Sequence, residues 1–222
     1  MKNFILDILT NPNTFFQNVI SEKERLNVPL LIVFCGAIIA GVHAYLIGGL
    51  TAKMMAALSP GIAPIITISA FFGGMIATFL VWLVLTGVFF GLSFVFKGQG
   101  SFRRCLEVTG YGYLPQIIGS LISLVVAFLY VPKVVVPEIS SAAMQDPALI
   151  QDAATALMHD PAMLAMTQFM SVISIVFLLW SANIWIFCMH YARNLSLRDA
   201  AICVWTPVLA YVIYVSYTVV GA

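Results

Sequence analysis

The chain has 222 residues, of which 62% are hydrophobic and 9% charged, with a formal net charge of +1. A soluble domain carries about a quarter charged residues, so this chain lacks the polar groups to cover a water-facing surface, and its exterior must face lipid. The near-neutral charge leaves no footprint for nucleic acid, and four dispersed cysteines without CxxC spacing give neither a disulfide framework nor a zinc site.

In chain order, residues 1–27 mix polar and apolar positions and lack the short apolar core and cleavage site of a signal peptide. In TNPNTFFQNVISEKERL, Asn11 suits an N-cap and Pro12 the first helical position. Phe15, Phe16, Val19 and Ile20 then form an apolar stripe. This predicts an amphipathic helix, packed on the rest of the protein or lying in the headgroup layer, with Phe15 and Phe16 as candidate anchors for a partner or lipid.

Five later stretches have the roughly 20 apolar residues needed to cross a bilayer: 29–50, 66–96, 108–131, 169–190 and 200–220. The uncharged gap between Lys53 and Lys97 contains SPGIAP at 59–64 and could hold two short spans instead of one. Charge bias decides for one. With five spans, Lys2, Lys23, Arg25, Lys97, Arg103, Arg104, Arg193 and Arg198 share one side, and only Lys53 and Lys133 fall on the other. The expected topology therefore has a cytoplasmic N-terminus and an external C-terminus. The fold class is an all-α, polytopic membrane bundle: an interfacial helix in 1–27 and a five-span domain in 28–222.

Within the spans, Gly36/Ala40, Ala37/Gly41 and Gly87/Gly91 have the four-residue spacing that lets helices approach closely. Thr206-Pro207 predicts a kink in the fifth span. Between the second and third spans, KGQGSFRRCLEV supplies a glycine-rich turn, a Ser101 cap and a short basic helix, in which Arg103 and Arg104 are candidate contacts for phosphate or acidic lipid. The third span opens with GYGYLP. Pro115 removes a helix hydrogen bond, Gly110 and Gly112 soften the preceding turn, and Tyr111 and Tyr113 suit the headgroup level, so the stretch reads as a hinge with Tyr111 facing the bundle. The external loop, about 132–168, repeats an Asp-Pro pair in MQDPALI and MHDPAML. It predicts a helix from Pro147 to about Met158 and another from Pro161 running into the fourth span.

Catalytic signatures such as HExxH, GxSxG, Walker A and GxGxxG are absent, and no histidine has a second histidine or a carboxylate at i+3 or i+4 on a span. No cofactor or metal is expected. No Asp or Glu lies near the middle of a span; Glu107 sits at the mouth of the third. The central polar candidates are His43, either an ordinary hydrogen-bonded bundle histidine or a proton-sensitive site, and Asn183, read as glue between helices.

The run FKGQGSFRRCLEVTGYGYLPQIIG, together with NPNTFF near the N-terminus, resembles the YIP family, the Ypt/Rab-interacting membrane proteins. Gly110, Tyr111 and Pro115 can be set on the family's Gly-Tyr-x-x-x-Pro type motif, which reads here as Gly-Tyr-Gly-Tyr-Leu-Pro. The Asp-Leu-Tyr-Gly-Pro motif of eukaryotic members is missing, so the likeness is to prokaryotic members, which have no assigned reaction. The resemblance implies a five-span protein of a prokaryotic plasma membrane. The leading functional expectation is a non-enzymatic scaffold or trafficking-type interaction protein. It would engage lipid, a membrane or cytoplasmic protein, or a further copy of itself through its cytoplasmic face. The alternative is permeation of a small solute or ion.

Overall fold

The computed structural model describes residues 4–56, 61–137, 139 and 147–220. Among these residues the secondary structure is helical. Two short helices, α1 (Phe4–Thr10) and α2 (Pro12–Ser21), precede α3 (Asn27–Met54) and α4 (Ile62–Ser93). A tight turn leads to α5 (Phe102–Tyr111), followed by α6 (Leu114–Tyr130), α7 (Pro147–Met158), α8 (Pro161–Arg193) and α9 (Leu197–Val220). Five segments are long and apolar enough to cross a membrane: Asn27–Met54, Ile62–Phe96, Leu114–Lys133, Pro161–Arg193 and Leu197–Thr218.

The spans begin and end within a few residues of the sequence expectation except at two places. The third starts at Leu114, not 108, because residues 108–111 complete α5. The fourth is eight residues longer at its start, because the helix from Pro161 runs on into it without a break, as the second Asp-Pro pair predicts. Asp160 caps that helix, accepting from the amides of Ala162 (2.9 Å) and Met163 (3.0 Å). The corresponding Asp146, Glu138 of the same loop, and Ser59 between the first two spans lie outside the described residues.

α3 packs most extensively on α4, α6 on α8, and α8 on α9. The α3–α4 seam is close because its small residues face a neighbour: a Cβ on Gly74 would lie 2.9 Å from the Ala40 carbonyl oxygen, and one on Gly41 would lie 2.9 Å from the Phe71 carbonyl oxygen. Gly87 and Gly91 differ. They meet nothing within 4 Å among the described residues and lie beside exposed Val84 and Val88, so that GxxxG pair does not hold helices of this chain together. Asn183 is likewise exposed rather than wedged between helices. Pro207 lies inside α9, where Thr206 donates to the Ile202 carbonyl (2.7 Å).

The α1–α2 pair covers one end of the bundle, hereafter the cap. At the opposite end α7 lies over a small apolar cluster containing Leu50, Met54, Val134, Ile139 and Leu157.

Candidate functional site

Two regions bring the sequence-derived residues together. The first is the cap. Phe15 and Phe16 are 3% and 0% exposed, so neither is presented to an external partner. They turn inward because α1, a helix too short to stand out in the sequence, folds back over α2. Phe4, Phe15 and Phe16 then surround Tyr111, with ring centroids 5.8, 5.4 and 6.3 Å from it. Tyr111 faces the bundle, as the glycine-rich hinge predicts, and burial followed by the nearby Glu107 charge pushes its phenol up to about 12.

Arg104 is also committed internally. Its guanidinium donates to Glu107 Oε2 (2.6 Å), the Glu22 carbonyl (2.6 Å) and the Val19 carbonyl (3.4 Å). Glu107 is 2% exposed and accepts the Arg25 amide at 3.2 Å. Burial raises its carboxyl above the ordinary range, against the opposing pull of the Arg25 amide and Arg104. Ser101 caps α5 by accepting the Arg104 amide (3.0 Å), and its hydroxyl donates to Glu24. α5 thus clasps the segment leaving α2. Trp180 reaches the Leu9 carbonyl (3.3 Å) and Tyr191 reaches Asn13 (2.7 Å), which fixes the cap to α8. Asn11 makes no side-chain cap to a backbone amide; its Oδ1 accepts from the Thr14 hydroxyl instead (3.1 Å). Of the four candidate contacts, Arg103 alone remains on the surface, its side chain 64% exposed and 3.8 Å from Glu24.

At the hinge, α5 ends at Tyr111 and α6 restarts at Leu114 with Pro115 in its first turn, where a missing N–H costs nothing. Side chains of α8 reach the carbonyls at this end of α5: Trp185 Nε1 donates to Thr109 (3.0 Å), and Cys188 Sγ donates to Val108 (3.1 Å), which also accepts the Gly112 amide (3.4 Å). Gly112 makes this possible, since a Cβ there would lie 2.2 Å from Trp185 Nε1. Tyr113 stacks edge-on against Trp185 and is itself buried.

Sequence reasoning missed Arg193, read as a surface charge of a loop. It is 1% exposed. Its Nε donates to Ser93 (2.8 Å), its Nη2 to the Gly98 carbonyl (2.6 Å) and its Nη1 to the Gly100 carbonyl, while its face lies 4.2 Å from the Phe90 ring. The turn it grips needs Lys97 and Gly100 at positive φ, 56° and 123°.

The second region lies in the bundle between α3, α6, α8 and α9. A cavity of about 450 Å³ is lined by His43, Thr167, Ser171, Ser174 and Tyr211. A second, about 240 Å³, shares His43, Met170 and Ser174 and adds Gln116, Ser120 and Ser123. A third, about 520 Å³ and mostly apolar, shares Gln116 and Ser174 and reaches Tyr113, Trp185 and Pro207. Among the described residues, no Asp, Glu, Lys or Arg lines any of the three. Gln116 Nε2 is buried without a hydrogen-bond partner among the described residues, and His43 Nε2 lies 3.3 Å from Met170 Sδ.

A bundle of five apolar helices with helical connections defines a multi-pass integral membrane protein. The Yip1 domain family model matches residues 6–218, and the chain belongs to that family. It is also similar to an uncharacterized protein of the archaeon Methanocaldococcus jannaschii, 35% identical over 128 residues, or 56% of this chain and 88% of that one. No solved structure matches the chain.

Proposed function

We propose that the protein is a non-enzymatic membrane scaffold of the trafficking-related Yip1 class that works through its capped end, with that end in the cytoplasm of a prokaryotic cell. One observation carries the reading. The cap is clasped to the spans from within, yet leaves Lys23, Arg25, Lys97, Arg103 and Arg198 exposed around it. These cations, interleaved with the carboxylates of Glu22, Glu24 and Asp199, make a charged face at the headgroup level that suits a protein surface of complementary charge or anionic lipid.

Arg103→Ala is the discriminating variant, because Arg104 also holds the fold. A photo-crosslinker at position 103 should give salt-sensitive adducts in native membranes, and Arg103→Ala should weaken binding to anionic vesicles without loss of stability. Cysteines introduced at 99 and 152 test the orientation. Impermeant reagent should reach 152 and not 99 in intact cells.

The cavities favour a second reading, permeation of a small uncharged polar solute, because hydroxyls, His43 and Gln116 line adjoining voids within the bundle. Solute flux in liposomes abolished by His43→Ala, with no adducts at position 103, would replace the scaffold reading by this one.

A further inference from the structure

The histidine that faces the cavities is placed against sulfur. His43 Nε2 and Met170 Sδ stand 3.3 Å apart, and Met163, Met166 and Met170 recur on α8 at spacings of three and four, which is one helix face. All three methionines line the same cavity as His43. Met166 is 1% exposed and lies one turn from Met170 toward the α7 end.

We propose that His43 and Met170, with Met166 as third donor, form a binding site for a soft monovalent metal ion, Cu(I) in chemical class. The donor set argues against harder cations. Calcium and magnesium need several oxygen ligands including carboxylates, and no carboxylate lines the cavity. Zinc sites are built from thiolate, imidazole and carboxylate, and His43 is the one such donor present there. Imidazole with thioether is the set that selects Cu(I). With bonds of the lengths zinc makes to imidazole nitrogen and thiolate sulfur, about 2.0 and 2.3 Å, the observed separation subtends about 100° at the ion, near the tetrahedral angle. Neutral donors also fit the low charge, since a +1 ion in a region without formal charges needs ligands that replace its hydration without adding charge. Without metal, the Nε2-protonated tautomer of His43 is the one that can donate to the Met170 thioether.

Ag(I), a redox-inert soft ion, is the probe. Full-length protein carrying ¹³C-methyl methionine is titrated with Ag(I) in detergent, and each methionine methyl is followed separately. With the exposed Cys35 thiol alkylated beforehand, one equivalent should shift the Met166 and Met170 methyls to saturation. His43→Ala and Met170→Leu should each weaken that response by more than about 10-fold, because even changes outside the ligand shell commonly cost about 10–100-fold. Met189, beside the Cys105 thiol (3.9 Å), serves as internal comparison for metal captured by cysteine. Absence of the Met166 and Met170 shifts at excess Ag(I), their persistence in His43→Ala, or shifts confined to Met189 would each overturn the site. Unchanged remaining methyl positions show that a variant is folded. Should His43→Ala fail to fold, Met170→Leu, close to volume-conserving, decides alone.

Discussion

The cap and the cavity region use buried polar groups in opposite ways. At the cap, Arg104, Glu107 and Arg193 each join two or more segments, and their hydrogen bonds run to partners 80 or more residues away as well as to near neighbours. Around His43, the Ser120 and Thr167 hydroxyls donate only to carbonyls of their own helices (2.8 and 2.9 Å), and Gln116 Nε2 has no partner among the described residues. A buried polar group without a partner costs stability, whereas a fully bonded network makes a region rigid and unique. The capped end is thus tied together by buried polar bonds between distant segments, whereas polar groups around His43 line cavities.

Phe16→Ala should break this contrast most severely. The ring is fully buried against Phe15 and Tyr111, and its loss should cost about 3–5 kcal/mol. In detergent the variant should melt earlier, with hydrogen exchange rising across α1 and α2 before it rises in α8. Gly112→Leu comes next. The clash with Trp185 should cost at least the roughly 1–3 kcal/mol of an overpacked core, whereas Leu114→Ile, at a half-buried site, should lower the midpoint less.

The Glu107 carboxyl gives a smaller, pH-dependent effect. Its value is raised in the folded protein, so the folded state holds the proton more tightly than the unfolded chain. Its contribution is therefore complete below the ordinary carboxyl value of 4.5 and is lost as pH rises through the raised folded value. Glu107→Gln should flatten that part of the stability profile, measured as the melting midpoint from mildly acid to neutral pH. Smallest of all, Gly87→Ala should leave folding intact or stabilise it by up to about 1 kcal/mol, since the position is open and alanine is the better helix former. A melt that falls instead would show that Gly87 meets a neighbour outside this chain.

Much of the fold was legible because bilayer thickness imposes it: long uncharged runs can only be spanning helices. Local cap chemistry was equally readable at Ser101, Asp160 and Pro161. Direction was harder. The stripe Phe15, Phe16, Val19 and Ile20 says that one face of α2 is apolar, but lipid and protein interior demand the same residues there, and the seven-residue α1 that decides the matter is too short to show a period. For the same reason a GxxxG pair at 87–91 does not reveal whether a neighbour exists. Arg193 read as a loop charge because nothing local marks it as buried; its partners are the Ser93 hydroxyl and the carbonyls of a turn 93 or more residues earlier. His43 stood out as one of two central polar candidates within the spans, beside Asn183. Met166 and Met170 did not, since methionine counts as a hydrophobe in every pattern of periodicity.

That grip of Arg193 on the 97–100 turn also sets an order of assembly. The chain is made from its N-terminus, and Lys97 and Gly100 must hold left-handed backbone conformations whose closing partner is synthesised nearly a hundred residues later. Until the fourth span is inserted, the first two spans and α5 have no clasp at this turn. The last turn of α8 therefore ties the turn between α4 and α5 to a segment made nearly a hundred residues later.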